Sequence, residues 1–452
     1  MKLEHISHKN APRLLLIFSG WASDASFFAG TVPPPGYDFA VASDYRMSAS
    51  AAQTEQIAGY SEVCLIAWSF GVPAANRFML DNPHIRFTLR VAINGTLVPV
   101  DNLLGIPEEI FRGTLEHLDT RNLSKFMRRE AGSAAAASSL PGAETFDISA
   151  LKDELKAIAA LPQAKNSTSG WDAVIISSRD AIIPPENQHR SWNGHPDIHE
   201  IDAPHLPDFA ALIPSLLSDK DLVSRRFSDS TSTYNANAGA QREIASRLAA
   251  LWRKYRTESP IPILEIGPGT GLLTKEIASM VPFGKMELWD LSDIPESLPG
   301  RKTKCDAEAA ISFVPADHFG SILSASTLQW FNSPATFLKN AARALAPGGL
   351  LAVSTFTPGN FRELRPYLNN TPHYTSPATI RAVIPDTLEI LNLSEEEIRI
   401  DFPSPRHLLQ HFRYTGVNAM HSGDTAAARA IISAGITSLT YTPLYLIARK
   451  KA

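Results

Sequence analysis

Cysteine is scarce: the 452 residues hold two, Cys64 and Cys305, far apart in the chain. That excludes a disulfide framework and a multi-cysteine metal site, and fits a reducing cytosol. An excess of one charge is also missing, because 42 Lys and Arg stand against 46 Asp and Glu for a formal net charge of -4. General nucleic-acid binding, which relies on neutralising phosphates, is therefore not expected. No apolar run approaches the length needed to span a bilayer. Met1–Asn10 is polar and His-rich, unlike the apolar core of a secretory signal. The expectation is a cytoplasmic protein without a bound metal, membrane or nucleic-acid partner.

What is present is the composition of packed domains, 44% hydrophobic and 19% charged, in a chain longer than one core usually organises. Short apolar runs stand at Arg13–Phe18, Val63–Trp68, Leu89–Ile93 and Ala173–Ser177, with helical or loop stretches between them. Strands buried on both faces read this way, so an α/β domain with a parallel sheet is expected. Between Ile106 and Ala160 the pattern turns helical, interrupted by the Ala/Ser/Gly-rich Gly132–Gly142, which predicts a helical cap. The polar stretch after Leu217 marks a domain boundary, dividing the chain into 1–218 and 219–452. Beyond it, Ile244, Leu248, Leu251 and Trp252 predict a helix over Gln241–Tyr255. A second β/α series follows at Ile261–Ile266, Met286–Asp290, Gly320–Ala325 and Leu350–Ser354, with Tyr445–Ala448 as a final strand.

Ala67-Trp-Ser69-Phe70-Gly71 follows an apolar strand and precedes a helix-compatible segment. This is the setting of a nucleophile elbow, G-x-S-x-G, here with Ala67 at the first glycine. Ser19-Gly20-Trp21 ends the first strand, so the backbone N–H groups of Trp21 and Phe70 are the expected oxyanion donors. Asp180 follows a late strand, and His205 lies between Pro204 and Leu206-Pro207. The order Ser69, Asp180, His205 is that of an α/β-hydrolase triad. Asp147 or Asp153 in the cap could supply the acid instead, and His189, His195 and His199 are nearby alternatives to His205.

The second series opens with Glu265-Ile-Gly267-Pro-Gly269-Thr-Gly271 between a strand and a helix. Glycines let backbone approach a ligand, but the dinucleotide spacing G-x-G-x-x-G is absent. An acidic Glu265 disfavours pyrophosphate and suits the cationic amino-acid end of S-adenosylmethionine. Asp290 ends the next strand, where a carboxylate can bind ribose hydroxyls. Cys305–Glu308 is read as the third-strand segment, with Asp306 able to accept from the adenine amino group. The Ser326–Phe331 edge and the Pro347-Gly-Gly349 turn follow in order. Together these landmarks predict a class-I, Rossmann-like methyltransferase fold.

The run Arg226-Phe227 to Gln241 resembles the N-terminal signature of malonyl-acyl-carrier-protein O-methyltransferases of biotin synthesis (BioC). So do Leu328-Gln329-Trp330, Ser354-Thr-Phe356 with Gly359, and Leu408–Asn418. The resemblance spans about residues 222–450 and implies Tyr234, Gln329 and Trp330 as acceptor-site residues. Residues 1–217 resemble the BioG pimeloyl-acyl-carrier-protein methyl ester esterases through Phe18-Ser-Gly-Trp21-Ala-Ser-Asp24, Trp68–Gly71 and Pro184-Pro-Glu-Asn-Gln188. These resemblances imply an α/β-hydrolase with a cap at about 106–160, a methyltransferase using S-adenosylmethionine, and an acidic acyl carrier protein as partner. Arg121, Lys125, Arg128 and Arg129 on the cap would form one docking face. Arg225, Arg226, Arg242, Arg253, Lys254 and Arg256 would form a second. The rival readings are a hydrolase–methyltransferase pair acting on another small carboxylic acid, and a methyltransferase carrying an inactive docking module.

Overall fold

The computed structural model describes every residue except 163–169, 258–260, 282–283, 368–373 and 416–424. The chain packs as two units, Met1–Leu217 and Ser218–Ala452.

In the first unit the strands are β1 (Lys2–Ser7), β2 (Arg13–Phe18), β3 (Tyr37–Ser43), β4 (Glu62–Trp68), β5 (Phe87–Ile93), β6 (Ala173–Ser177) and β7 (Ile198–Ile201). They form one sheet in the order β1-β3-β2-β4-β5-β6-β7. Only β1 runs antiparallel to its neighbour. Every residue of β3 and β4 is buried, as strands covered on both faces require. The helices are α1 (Ala51–Ala58), α2 (Gly71–Asp81), α3 (Glu108–Glu116), α4 (Thr120–Glu130), α5 (Ala134–Ala137), α6 (Ile148–Ala159), α7 (Pro185–Ser191) and α8 (Phe209–Leu216). Helices α3 to α6 make the expected insertion, and α5 falls inside the Gly132–Gly142 interruption, capped by Ser133. Strands β1 and β7 carry no signal in the sequence. Both are edges with no fully buried residue, so they lack the apolar run that marks a central strand.

The second unit opens with α9 (Lys220–Asn237) and α10 (Gly239–Tyr255). The polar stretch after Leu217 is thus not a linker but largely an 18-residue helix. Then come β8 (Ile263–Ile266), α11 (Leu272–Ile277), β9 (Met286–Asp290), β10 (Arg301–Lys304), α12 (Ala307–Ala310), β11 (Phe319–Ala325), α13 (Pro334–Ala344), β12 (Leu345–Phe356), β13 (Leu388–Glu395), β14 (Ile398–Asp401), β15 (Ser438–Tyr441) and β16 (Pro443–Lys450). The main sheet has the order β10-β9-β8-β11-β12-β16-β13, with β16 antiparallel to both neighbours. This is a Rossmann-like fold. The strand order reverses direction between β8 and β11, and such a switch point opens a crevice at the carboxyl ends of the strands.

The expected third strand needs correction. Strand β10 ends at Lys304, and Cys305–Glu308 leaves the sheet: Asp306 caps α12 by accepting the Glu308 N–H. β10 reads Arg-Lys-Thr-Lys with no buried position, so an edge strand was hidden by its charge. Of the expected late segment Leu408–Asn418, the residues to Thr415 are helical and those beyond lie outside the described residues. No helix of the described residues is long and apolar enough to cross a membrane.

Candidate active sites

Strand β4 delivers Ser69, and the chain must turn at once into α2. Ser69 takes a left-handed φ of 57°, a conformation that costs a residue with a Cβ roughly 1–2 kcal/mol. The turn is crowded on both sides. A Cβ on Gly71 would lie 2.2 Å from the Phe18 carbonyl oxygen, and one on Gly95 2.4 Å from that of Ser69. Ala67 is fully buried within β4, where a methyl group is accommodated.

Ser69 Oγ lies 2.8 Å from His205 Nε2, and His205 Nδ1 lies 2.7 Å from Asp180 Oδ2. All three side chains are buried. Asp180 Oδ1 accepts the N–H groups of Ile182 at 2.8 Å and Ile183 at 2.9 Å. Its Oδ2 also accepts from Gln188 Nε2 at 2.8 Å. A carboxylate surrounded by donors accepts from His205 as well, so the histidine proton belongs on Nδ1 and the Nε2 lone pair faces Ser69. The histidine loop is fixed by its carbonyl, which accepts from Trp68 Nε1 and Asn94 Nδ2, each at 2.8 Å.

The alternatives are engaged elsewhere. Asp147 caps α6, and Asp153 pairs with Lys156. His189 meets Glu200 and His199 meets Asp197, while His195 Nε2 sits 3.1 Å from the Trp171 carbonyl. Beside the serine, neither the Trp21 nor the Phe70 backbone N–H has a protein acceptor among the described residues. The loop carrying Trp21 is close, since a Cβ on Gly20 would lie 3.2 Å from Ser69 Cβ. Tyr45 buttresses it by donating to the Ser19 carbonyl at 2.7 Å. Trp21 and Phe70 belong to an apolar cluster with Leu123 and Met127 of α4 and Leu155 of α6.

Sequence reasoning missed the support around this triad. Gln188 stands in the Pro184–Gln188 run singled out in the sequence, but its bond to Asp180 was not foreseen; Asn94 reaches Ser177 and His205 from a distant chain position and gives no local signal. Glu130 is 1% exposed at the end of α4, hidden in the sequence by the basic residues before it. Burial and the nearby Asp180 charge hold its carboxyl well above the usual range.

In the second unit the crevice at the switch point is lined from β8, β9, the turn after β11, α9 and α10. Gly267, Gly269 and Gly271 have φ of 68°, 52° and 85°, which glycine alone adopts freely. A Cβ on Gly267 would strike Thr327 Oγ1 at 2.2 Å and one on Gly271 would strike Leu298 at 2.3 Å. At Gly269 it would meet nothing within 4 Å, so the loop's middle faces open space. Glu265 is 1% exposed, and its Oε2 has no hydrogen-bond partner within bonding geometry among the described residues; burial, only partly offset by the nearby Thr274, pushes its carboxyl up to about 8. Asp290 accepts from the Gly269 N–H at 3.1 Å and the Ser292 N–H at 2.8 Å. Burial raises its carboxyl too. An unpartnered buried carboxyl oxygen beside a glycine cradle suits a cationic ammonium group, and Asp290 brings a second carboxyl into the same crevice.

Asp306 lines the same crevice, but its Oδ2 is held 2.6 Å from Lys220 Nζ, which also meets Glu308 at 2.8 Å. Sequence patterning gave no hint of this buried lysine. Tyr234 lines the crevice from α9, edge-on to Phe227, which in turn packs on Trp330. Gln329 is committed to the turn itself: Nε2 donates to the Ser326 carbonyl at 2.6 Å and Oε1 accepts from Thr355 at 3.5 Å.

Of the two basic clusters, Arg121, Lys125, Arg128 and Arg129 are all exposed on α4. The second is divided. Arg253 pairs with Glu276, Arg256 lies 4.7 Å over the Trp252 ring, and Arg226 is half-buried.

Comparison with known proteins bears on both sites. Residues 1–212 match the family model of the pimeloyl-ACP methyl esterase BioG, and residues 236–420 match a methyltransferase domain. A malonyl-[acyl-carrier protein] O-methyltransferase of Bacteroides fragilis is 29% identical over 97% of this chain and 93% of its own. That of Porphyromonas gingivalis is 31% identical over 51% of this chain and 96% of its own. The crystal structure of BioG from Haemophilus influenzae is similar at 29% identity and a TM-score of 0.41, covering 47% of this chain and 97% of that one. The chain belongs to the malonyl-[acyl-carrier protein] O-methyltransferase family and carries a BioG pimeloyl-ACP methyl esterase domain ahead of its methyltransferase domain.

Proposed function

We propose that this chain makes and removes the same methyl ester in the synthesis of biotin's pimelate moiety. Residues 1–218 form an α/β-hydrolase domain with a cap at about 106–160 that hydrolyses pimeloyl-carrier methyl ester. Residues 219–452 form the domain that methylates the malonyl-carrier carboxylate. The observation that carries this reading is the unbroken hydrogen-bond chain Ser69–His205–Asp180 in a polypeptide that also holds a methyltransferase site.

In the esterase, His205 Nε2 takes the Ser69 proton as Oγ attacks the ester carbonyl. The N–H groups of Trp21 and Phe70 stabilise the oxyanion, and His205 returns the proton to the departing methanol. Water, activated by the same histidine, then releases the acyl group from Ser69. In the methyltransferase, S-adenosylmethionine supplies an electrophilic methyl on its sulfonium. The acceptor carboxylate, with an ordinary pKa of about 4, is already ionised at pH 7, so alignment matters more than a general base. Glu265 and Gly267–Gly271 hold the cofactor's amino-acid end, Asp290 the ribose, and Asp306, shared with Lys220, the adenine side. Tyr234 and Trp330 wall the acceptor end.

Methylation removes a charge that would be costly to bury in the apolar tunnels of chain elongation. The esterase must therefore spare the malonyl ester. A pimeloyl chain has about four more methylenes, each stabilised by about 0.8 kcal/mol on burial. Against the apolar cap the expected preference in kcat/KM is on the order of a hundredfold. The exposed basic face of α4 suits an acidic carrier.

Binding of the cofactor's ammonium requires Glu265 ionised, while its carboxyl sits at about 8 in the free protein. Affinity for S-adenosylhomocysteine is therefore expected to fall as pH drops through 8, reaching roughly tenfold weaker binding at pH 7 than on the high-pH plateau. Calorimetry checks this, with Glu265→Gln expected to flatten the profile. A wild-type profile that is already flat would contradict the role.

Cells lacking either activity test the whole reading. Ser69→Ala should still support methyltransferase-deficient cells without biotin and fail esterase-deficient ones. Gly269→Leu, which fills open space where cofactor would lie, should do the reverse. Variants that fail both strains, or rescue both, would overturn the assignment.

A further inference from the structure

Buried polar atoms without a partner are rare, because each has given up its hydrogen bonds to water. Five residues lining the methyltransferase crevice carry one: Gln241, Glu265, Trp289, Ser326 and Trp330. Glu265 and Trp289 stand on β8 and β9, on the cofactor side. The other three, Ser326 Oγ, Trp330 Nε1 and Gln241 Oε1, come from the turn after β11 and from α10.

Ser326 is the least expected of them. It has a left-handed φ of 55°, and strain of this kind persists where surroundings enforce it. Here its N–H donates to the Ser354 carbonyl at 3.0 Å and to Ser354 Oγ at 3.1 Å, while its carbonyl accepts from Gln329 at 2.6 Å. Three contacts fix the turn, and its hydroxyl is left without a partner among the described residues. Gln241 has its amide Nε2 3.5 Å from the Tyr441 hydroxyl, which lies 2.8 Å from His411 Nε2. The Tyr441 hydroxyl can donate as well as accept. Turning the amide over keeps a bond to Tyr441 and presents the NH2 group to the crevice.

We propose that Ser326, Trp330 and Gln241 form a cradle of neutral donors for the acceptor carboxylate, and that Gln329 is a positioning residue that holds the Ser326 turn. The inference rests on the methyltransferase reading and deepens it. Neutral donors suit a nucleophilic carboxylate. They orient one oxygen toward the methyl without the full charge neutralisation of a lysine or arginine, which would blunt the attacking oxygen. They also favour turnover, because the uncharged ester accepts weaker hydrogen bonds than the carboxylate and is released.

The test uses the full chain carrying Ser69→Ala, so that ester is not hydrolysed. Methyl transfer to malonyl-carrier is measured, and so is the affinity of the S-adenosylhomocysteine-loaded protein for malonyl-carrier and for its methyl ester. Ser326→Ala and Trp330→Phe are each expected to raise KM for malonyl-carrier roughly tenfold or more and to shrink the preference for acid over ester. S-adenosylhomocysteine affinity should stay within about twofold of the parent's. Gln329→Ala should lower transfer alone, yet add little in the Ser326→Ala background, as expected when one residue acts through another. An unchanged acid-over-ester preference, or a loss of cofactor affinity equal to the loss in KM, would overturn the cradle. Fully additive Gln329 and Ser326 effects would overturn the positioning role. Failure of the parent chain to methylate malonyl-carrier would instead overturn the methyltransferase reading, and the cradle with it.

Discussion

Ser69→Ala is expected to lower hydrolysis of pimeloyl-carrier methyl ester by about a millionfold, the scale on which a serine nucleophile is lost. The change deletes one oxygen atom. Among the described residues its side-chain bond is to His205 alone, and the strained backbone at φ 57° is fixed by the crowding of Gly71 and Gly95. Alanine meets the same backbone cost as serine, so the turn should survive. What remains is the proposed pair of oxyanion donors and the proposed apolar cap, which would bind ester but offer it no nucleophile. Methyl transfer should be unaffected, because Glu265, Gly267–Gly271 and Asp290 all belong to the other unit. Methanol release by the purified variant measures the first effect, and methyl incorporation into malonyl-carrier the second. Hydrolysis retained within about tenfold of wild type would remove Ser69 from the chemistry.

Asp180→Asn is the second large effect, expected at roughly ten-thousandfold in kcat. The surroundings decide which way the new amide faces. Oδ1 of Asp180 receives the N–H groups of Ile182 and Ile183, and only a carbonyl oxygen can take their place. The amide nitrogen must then occupy the Oδ2 position, facing His205 Nδ1 and Gln188 Nε2. As a donor it forces the histidine proton onto Nε2, which can no longer accept from Ser69. It also sets two amide donors against each other, since Gln188 already gives its proton here. Hydrolysis should fall with little change in KM, and NMR of the His205 ring nitrogens should report the switched tautomer. Near-normal kcat in the Asp180→Asn variant would return the acid's role to another group.

Chemistry that fixes a residue to a strand end was legible in the sequence. Ser69 after β4, Trp21 after β2 and the glycines after β8 occupy such positions, because a parallel sheet presents its site at the carboxyl ends of its strands. Edge strands were not legible. β1, β7 and β10 have no buried position, so none carries the apolar run that marks a central strand. Buried charge was equally hidden. Lys220 sits in a polar stretch that reads as a boundary, yet it is 2% exposed and locked to Asp306 and Glu308. Glu130 looks like one more charge on a basic helix until α4 is folded against the histidine loop, where its carbonyl accepts the Leu206 N–H. Gln329 stands out in the sequence as part of the acceptor edge, but its neighbours decide its contacts. Its amide is spent on Ser326 and Thr355, a pairing that depends on how strand β12 lies beside β11.

Whether a single chain installs and removes a methyl group at two ends of one acyl sequence can be read from the carrier protein itself. The intact mass of the carrier protein is followed with the purified full chain and S-adenosylmethionine, starting in parallel from malonyl-carrier and from pimeloyl-carrier methyl ester. Malonyl-carrier is expected to gain one methyl and keep it, while the pimeloyl ester loses its methyl over the same period. A malonyl carrier that never gains mass, a pimeloyl ester that never loses it, or a malonyl ester stripped as fast as it forms would show that the chain does not pair the two activities.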